Sequence, residues 1–298
     1  MPHLSVILAD SQFIHISDTH AEFGSKNALP LLVITTPFCK ASILLQGAQI
    51  LSYQPINSQP WLWLSPLARF EPGKSPRGGI PVCLPWFGVN QQNPDLPKHG
   101  FARNRDWQLL HWEESPESVT LEFGFSYRGS EPDLFVTPFE AVLKITLSSC
   151  LTLKLNLINT GKNQETFSWA LHTYLAVDDC ANTTVSGLEG VTFLDNNQGL
   201  SPSVSTEPIH FLQAVDRVYN QTIQAQILHA RHTLEISGQH CPTCIVWNIG
   251  KEMANSLADI DHHYHEYVCV ERGCAFDDRL QLKPNEIFTA TMTLRALS

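Results

Sequence analysis

The chain has 298 residues, of which 43% are hydrophobic and 16% are charged, and its formal net charge is −10. This composition is typical of a globular protein with a large core and excludes a disordered chain. The negative charge argues against nucleic acid or an anionic membrane as a partner, because both bind clustered Lys and Arg. A small anionic substrate stays possible, since a few local cations suffice to bind it.

The N-terminus lacks the basic start of a secretory signal peptide, and Asp10 interrupts its apolar run. The longest apolar stretch, Leu29 to Phe38, is too short to span a bilayer. Eight cysteines without a secretion signal are best interpreted as reduced thiols. We therefore expect a cytoplasmic protein, with a length that fits one large all-β domain or two ordinary domains.

Apolar and polar residues alternate with a period of two through most of the chain, which predicts strands. In chain order, the strand candidates are Leu31–Thr36, Cys39–Leu45, Gln49–Gln54, Leu121–Phe125, Ala141–Leu147, Leu151–Leu157, Phe167–Val177, Thr233–Ser237, Cys244–Ile249, Tyr267–Glu271 and Phe288–Ala296. Ala141–Leu147 and Leu151–Leu157 can pair as a hairpin. One short helical turn is predicted near Lys251–Ile260. Because no linker or repeat divides the chain, we predict an all-β fold: one large antiparallel β-sandwich domain over residues 1–298.

Two loop segments contain residue types that suit sugar and anion binding. In Arg77–Gly88, Gly78 and Gly79 allow close backbone approach, and Trp86 and Phe87 offer flat faces for the C–H face of a sugar. The alternative, a loop whose aromatic rings only pack in the core, is favoured by composition alone. In His99–Arg103, a histidine suited to proton transfer precedes an arginine suited to phosphate or carboxylate. A merely solvated basic loop explains that segment equally well.

Two strand candidates can aim ionisable side chains into a cleft. If Phe167–Val177 is a strand, His172 lies on its small and polar face, opposite a face of large apolar residues. Glu271 closes the apolar strand Tyr267–Glu271, where a carboxylate can act as a base. An incidental histidine on a half-exposed sheet and a strand-end charge facing water remain the alternatives.

Two further clusters resemble metal or redox sites but lack the required spacing. Cys241 and Cys244 form a CxxC pair without a second such pair and without a preceding βαβ pattern. The segment Asp261–Glu266 is rich in histidine but lacks the HExxH spacing. We predict no metal site and interpret both segments as structural.

Six motifs, taken together and in this order, resemble the aldose 1-epimerase superfamily, and most closely its hexose-6-phosphate mutarotase branch. They are RGGIPVCLPWFG (77–88), HGFAR (99–103), LHTY (171–174), DRVY (216–219), CIVWN (244–248) and YVCVERG (267–273). The resemblance implies a galactose mutarotase-like β-supersandwich without a cofactor. The partner that it implies is a small-molecule sugar phosphate, and we expect a monomer.

The resemblance also implies a role for each site residue. His172 resembles the general acid, Glu271 the general base, and His99 a histidine that hydrogen-bonds the sugar. Asp216 resembles the acidic residue that holds sugar hydroxyls, and Arg77 and Arg103 match arginines associated with the 6-phosphate. We expect Glu271 ionised and His172 cationic, because mutual attraction favours both charged forms.

Three other functions remain compatible with these residues. A mutarotase acting on free aldoses would use the same acid and base. A non-catalytic carbohydrate-binding β-sandwich would share the aromatic and polar cleft but would not need an acid–base pair. A retaining glycosidase would need two carboxylates about 5–5.5 Å apart, for which Asp216 and Glu271 are candidates.

Overall fold

The computed structural model describes residues 2–221, 224–229 and 232–297, and almost all of its regular structure is β-strand. The strands, in chain order, are β1 Ile14–Asp18, β2 Pro30–Thr35, β3 Cys39–Leu44, β4 Gln49–Pro55, β5 Val82–Cys83, β6 Gln108–Glu114, β7 Val119–Tyr127, β8 Phe139–Leu147, β9 Leu151–Asn159, β10 Glu165–Phe167, β11 Trp169–Leu171, β12 Tyr174–Ala176, β13 Thr184–Ser186, β14 Thr192–Asp195, β15 Ser201–Val204, β16 Ile209–His210, β17 Val215–Asn220, β18 Ala225–His229, β19 His232–Gln239, β20 Thr243–Asn248, β21 Tyr267–Cys274, β22 Leu280–Leu282 and β23 Ile287–Leu297. The α-helices are α1 Pro2–Ile7, α2 Thr19–Phe23 and α3 Gly250–Ala254.

Within the described residues, the strands form four sheets in which every strand pair is antiparallel. The nine-stranded sheet has the order β16-β13-β18-β19-β23-β9-β8-β7-β6. The eight-stranded sheet has the order β15-β14-β17-β20-β21-β11-β5, and β12 pairs with β21 beside β11. The smaller sheets are β1-β2-β3-β4 and β10-β22. The predicted antiparallel all-β fold is therefore confirmed, while one domain over residues 1–298 stays a prediction.

The main hydrophobic core lies between the two large sheets. Along β8 and β9, buried and half-exposed residues alternate with almost no exception, as the period-two pattern predicts. The predicted hairpin is confirmed, because Leu147 pairs with Leu151 and Ser148 N–H donates to Cys150 C=O (3.0 Å). Val246 and Val270 of the eight-stranded sheet belong to the same buried cluster as Leu153 and Leu155 of the nine-stranded sheet. The opposite face of the eight-stranded sheet carries two smaller buried clusters, one around Tyr174, Tyr267 and Cys269 and one around Ala170, Val218 and Ile245, and the rest of it borders a cleft.

The predicted strand Phe167–Val177 is divided, and this is the main correction to the strand prediction. It spans the end of β10, all of β11 and all of β12, and the breaks fall at Ser168 and at His172–Thr173. At the second break a neighbouring loop takes up the backbone, because His172 N–H donates to Pro81 C=O (3.0 Å). The register with β21 is nevertheless the same before and after the break, so the side chains keep alternating between the two faces of the sheet.

The other predicted strands are confirmed within one to three residues at their ends, but the helices are not well predicted. Helix α3 covers only part of the predicted turn Lys251–Ile260, and α1 and α2 were not expected. Helix α2 is defined by its ends: the Asp18 carboxylate accepts from two N–H groups of its first turn, and Gly24 ends it with φ +64°. Every helix in the described part of the chain is too short or too polar to serve as a membrane span.

Candidate active site

Part of the face of the eight-stranded sheet that points away from the main core forms the floor of a large cleft with a volume of about 1290 Å³. Asp216 of β17 pairs with Trp247 of β20, which pairs with Cys269 of β21, and Cys269 pairs with Tyr174 of β12. Because paired residues of neighbouring strands point to the same side of a sheet, these side chains form one row, in which Asp216, Trp247 and Tyr174 line the cleft and Cys269 is buried. All eight site residues predicted from the sequence line this cleft: Arg77, Trp86, Phe87, His99, Arg103, His172, Asp216 and Glu271.

His172, in the break between β11 and β12, lies opposite Glu271 of β21. Leu171 pairs with Arg272 and Tyr174 pairs with Cys269, so the unbroken register places His172 against Glu271. The distance from His172 Nδ1 to Glu271 Oε1 is 3.4 Å, and both side chains are buried. The strand break at His172 therefore leaves the cross-strand neighbourhood of the two side chains intact.

Neither member of this pair has its full set of hydrogen bonds. Within the described residues, His172 Nδ1 and Glu271 Oε2 are buried without a hydrogen-bond partner. Buried polar atoms are rarely left in this state, and those that are often await a water molecule or a ligand. The two atoms mark the point of the cleft where a polar ligand would complete the hydrogen bonding.

The ligand-free site favours the neutral forms of both groups, contrary to our expectation of two charged ones. Burial lowers the pKa of His172 well below its ordinary value, and His99, Arg103 and Arg77 act in the same direction. Burial also raises the pKa of Glu271 well above its ordinary value, with a further contribution from Asp216. Burial therefore favours the neutral imidazole of His172 and the protonated carboxyl group of Glu271.

His99 reaches the cleft from a tight loop. Its own φ is +66°, and at Gly100 a Cβ atom would come within 2.1 Å of Leu84 O, so only glycine fits there. His99 Nδ1 accepts a hydrogen bond from Gly88 N–H (3.3 Å). Burial, Arg103, Arg77 and Lys98 together lower the pKa of His99 to about 3. The ring is thus neutral and carries its hydrogen on Nε2, which makes it a donor to a ligand oxygen.

Asp216 is held by a neighbour that the sequence did not reveal. Its Oδ2 accepts a hydrogen bond from Asn196 Nδ2 (2.8 Å), in the turn between β14 and β15. Burial raises the pKa of Asp216, as does Asp195, whereas the Asn196 hydrogen bond lowers it. The Asn196 bond leaves Oδ1 of Asp216 available to accept from a sugar hydroxyl.

Arg77 and Arg103 both line the cleft, and Asp259 is ion-paired with Arg77. The Arg77 guanidinium binds Asp259 Oδ2 through Nε (3.1 Å) and the Tyr174 hydroxyl through Nη1 (3.0 Å). Within the described residues, Arg103 donates one hydrogen bond, from Nη2 to Lys98 O (2.8 Å), and its buried Nε has no partner. Both guanidinium groups keep N–H donors for an anion.

Of the two aromatic residues predicted to offer a face to a sugar, Phe87 is open to the cleft and stays a prediction, whereas Trp86 is buried and offers no open face. Trp86 is only 7% exposed, packs edge-on against Phe101 and donates from Nε1 to Pro97 O (3.0 Å). Phe87 is partly exposed in the cleft, with its ring 4.7 Å from that of His99. Trp86 therefore belongs to the core that supports the loop.

Several further residues that line the cleft had no site role assigned to them from the sequence. They include Ser168, Tyr174, Asn196, Trp247 and Phe276. Ser168, Tyr174 and Trp247 lie in predicted strands, so the alternation of faces could have identified them. Phe276 adopts φ +56°, an uncommon conformation for a bulky residue, and its ring lies 6.0 Å from that of Phe87.

The clusters interpreted as structural contain no metal site in the part of the chain that the structure describes. Cys241 and Cys244 are buried free thiols. In the segment Asp261–Glu266, the Glu266 carboxylate is bonded to His263 Nδ1 (2.7 Å) and accepts from Trp63 Nε1 (3.0 Å). These contacts fix the segment against the sheet rather than presenting it to a ligand.

Comparison with known proteins gives the family. A sequence model described as aldose 1-epimerase matches residues 30–295. The chain belongs to the aldose 1-epimerase family. It is therefore an isomerase of the epimerase or mutarotase kind, as the six motifs indicated.

Relatives in this family extend over most of the chain. A protein of Escherichia coli K12 is 36% identical over 252 residues, 83% of this chain and 84% of its own length. One from Salmonella typhimurium is 36% identical over 248 residues, 82% of each chain. A plant relative, from Cenchrus ciliaris, is 33% identical over 276 residues, 87% of this chain and 82% of its own. All three are named "putative glucose-6-phosphate 1-epimerase".

Solved structures agree on the fold. A crystal structure from Salmonella typhimurium, described as a "putative mutarotase", superposes with a TM-score of 0.84 at 31% identity and covers 91% of both chains. A "galactose mutarotase related enzyme" from Lactobacillus acidophilus has a TM-score of 0.67 at 16% identity, covering 89% of this chain and 97% of its own. The predicted galactose mutarotase-like β-supersandwich is confirmed.

Proposed function

We propose that this isomerase interconverts the α and β anomers of a hexose 6-phosphate, with glucose 6-phosphate as the first candidate. The observation that carries the proposal is the buried pair His172 and Glu271, 3.4 Å apart on the floor of a cleft with Arg77 and Arg103 on its wall. The pair fits proton transfer at an anomeric centre, and the arginines fit a phosphate. The names of the curated relatives point to the same substrate.

The chemistry needs two proton transfers and no other reagent. One proton leaves the C1 hydroxyl and one is added to the ring oxygen, so that the C1–O5 bond breaks and an aldehyde forms. Rotation about C1–C2 exposes the other face of the aldehyde, and the reverse transfers close the ring. Each positioned acid or base contributes about 10²–10⁴-fold to such a reaction.

We assign the base role to Glu271 and the acid role to His172, with the roles exchanged on ring closure. This requires the ionised pair, which forms from the neutral pair when one proton moves from Glu271 to His172. The net charge of the pair does not change. Sugar hydroxyls in the cleft supply hydrogen bonds to both charged groups, which offsets part of the desolvation that favours the neutral forms.

The remaining residues bind and orient the sugar in this proposal. His99 donates from Nε2 and Asp216 accepts at Oδ1, while Phe87 and Trp247 contact the apolar faces of the ring. Arg77 and Arg103 bind the phosphate. The phosphate thereby fixes the C6 end of the sugar and leaves C1 to the acid–base pair.

Polarimetry tests this function directly. Freshly dissolved α-glucose 6-phosphate is followed with no protein, with the wild type and with Glu271→Gln as a matched inactive control. We expect only the wild type to accelerate the approach to anomeric equilibrium. Saturable binding of the sugar, measured by calorimetry, without any acceleration of anomer exchange would instead support the non-catalytic carbohydrate-binding alternative.

A panel of sugars separates the remaining alternatives. Higher kcat/KM on free glucose or galactose than on the corresponding 6-phosphates would overturn the phosphate specificity and favour a mutarotase of free aldoses. Release of an aryl group from aryl glycosides would favour the glycosidase based on Asp216 and Glu271. We expect neither result, because family membership favours an isomerase and the guanidinium groups of Arg77 and Arg103 favour an anion.

A further inference from the structure

Tyr174 contacts both halves of the site with different parts of one side chain. Its hydroxyl accepts a hydrogen bond from Arg77 Nη1 (3.0 Å). Its ring stacks on the imidazole of His172, with 4.7 Å between the centroids and 4° between the planes. The residue that would bind phosphate and the residue that would move a proton thus share one neighbour.

The Tyr174 ring is held in place from several sides. It is 2% exposed, and its ring lies 5.9 Å from that of Trp63 and 5.3 Å from that of Tyr267. Trp247 meets it edge-on at 6.2 Å and meets His172 edge-on at 6.0 Å. A ring confined in this way cannot turn without disturbing its neighbours, so it can fix the plane of the histidine.

The hydroxyl end completes a clamp on Arg77. Asp259 Oδ2 holds Nε at 3.1 Å from one side, and the Tyr174 oxygen holds Nη1 from the other. Asp259 is itself fixed, because its backbone carbonyl accepts from Ser65 Oγ (2.6 Å). With two of its nitrogen atoms bonded to fixed partners, the guanidinium has one orientation in which to meet an anion.

We propose that Tyr174 is a positioning residue that sets the guanidinium of Arg77 through its hydroxyl and the imidazole of His172 through its ring. The inference rests on the proposed function and adds to it a physical link between anion binding and proton transfer. It predicts that the two contacts can be lost separately, by two different substitutions at the same position.

Tyr174→Phe removes the hydroxyl and keeps the stacked ring. We expect the KM for glucose 6-phosphate to rise about tenfold, the lower end of the cost of a hydrogen bond to a charged group, because Asp259 still holds Arg77. The kcat should fall by less than threefold, and the KM for free glucose should change by less than twofold. Tyr53→Phe is the matched control, since it removes a core hydroxyl bonded to Ser148 O (2.6 Å) away from the cleft.

Tyr174→Leu removes the ring itself. We expect kcat to fall about 10- to 100-fold on phosphorylated and free sugar alike, because a misplaced acid loses its geometry. The acid limb of the kcat profile should move to higher pH, since water admitted beside His172 raises its pKa towards the ordinary value. The charged and titratable groups that still influence the pKa of His172 are Glu271, His99, Arg77 and Arg103. In Tyr174→Phe the acid limb should stay in place.

A double-mutant cycle with Arg77→Ala separates this inference from the proposed function. The effect of Tyr174→Phe on KM should disappear in the Arg77→Ala background, because the hydroxyl acts through that arginine. Additive effects would overturn the link, whatever the substrate is. Equal losses on phosphorylated and free sugar in Arg77→Ala would instead overturn the phosphate role and leave the link standing.

Two further results would overturn the inference. One is an unchanged KM for glucose 6-phosphate in Tyr174→Phe together with the same loss of thermal stability as in Tyr53→Phe, which would make Tyr174 an ordinary core residue. The other is a folded Tyr174→Leu variant with wild-type kcat and pH profile. If Tyr174→Leu does not fold, the Tyr174→Phe variant and the cycle still decide the question.

Discussion

His172 and Glu271 are cross-strand neighbours whose ionisable atoms, Nδ1 and Oε1, lie 3.4 Å apart with no hydrogen bond between them. Cross-strand pairs on one sheet face have side chains within contact distance by construction. The spacing of the acid and the base is set by the pairing of β21 with β11 and β12 on either side of His172, while the Pro81 carbonyl holds the His172 N–H. Because the sheet is rigid, the backbone positions of the proposed catalytic pair are rigid as well.

Removing either member of the pair should abolish catalysed anomer exchange. For Glu271→Gln and His172→Asn we expect kcat to fall at least about 100-fold, the contribution of one positioned acid or base. Exchange NMR between the C1 protons of the two anomers measures the rate. Thermal unfolding should show intact folding in both variants, and full activity in either one would contradict the assignment.

The pH dependence of kcat/KM should show a broad plateau around neutral pH. Because burial lowers the pKa of His172 below its ordinary 6.5, the acid limb should lie below pH 6.5, where the pair gains a second proton. Because burial raises the pKa of Glu271 above its ordinary 4.5, the alkaline limb appears only where the pair loses its single proton. An acid limb at or above pH 6.5 would contradict the buried neutral histidine.

Stability should respond to these two groups with opposite signs. The low pKa of His172 gives stability that is present above pH 6.5 and is lost as the pH falls, since the unfolded chain then binds the proton more tightly. The high pKa of Glu271 gives stability that is present at acid pH and is lost as the pH rises through the folded-state value. Glu271→Gln should therefore raise the melting temperature at alkaline pH relative to the wild type, and a lowered value there would contradict the pKa direction.

The two cleft arginines should distinguish phosphorylated from free sugar. We expect Arg77→Ala and Arg103→Ala each to raise the KM for glucose 6-phosphate about 10- to 100-fold, as the loss of charge-assisted hydrogen bonds implies. The KM for free glucose should change far less. Arg105→Ala is the control: Arg105 is 45% exposed and pairs with Glu131 (2.8 Å) on the surface. Equal losses on both sugars would remove the phosphate role.

Gly100→Ala should damage the site through the backbone. A Cβ atom at this position would lie 2.1 Å from Leu84 O, at a φ of +68°, so the loop that presents His99 must shift. We expect a loss of more than about 2 kcal/mol of unfolding free energy, since backbone strain alone accounts for about 1–3 kcal/mol, together with a higher KM. Gly24→Ala, with φ +64° and open space around it, isolates the strain alone. Equal losses in the two variants would contradict the close contact.

The strands of this fold could be predicted from the sequence because the pattern that defines them is local. In β8 and β9 one residue in two is buried, so alternation alone located both strands and their turn. The break at His172 could not be predicted in this way. It depends on a hydrogen bond to Pro81, a residue far away in the sequence, and no local pattern encodes that contact.

For the site, too, local features could be predicted from the sequence and long-range contacts could not. Face alternation placed His172 and Glu271 in a cleft, and the family motifs supplied their roles. The clamp on Arg77 was missed because Asp259 is 182 residues away and sits outside any motif. Trp86 was misjudged because composition cannot tell a ring that faces a cleft from a ring that supports its wall. The neutral charge states were missed because burial, which sets them, is a property of the fold.

The eight-stranded sheet has one face towards the core and one towards the cleft. Alternate residues of the same strand are therefore under different constraints. In β21, Val268 and Val270 pack in the core between the two large sheets, while Glu271 lines the cleft. Substitutions at alternate positions therefore act on folding or on chemistry, but seldom on both. A library that varies only the cleft-facing positions of β17, β20 and β21 could change the sugar that is accepted while leaving the core unchanged.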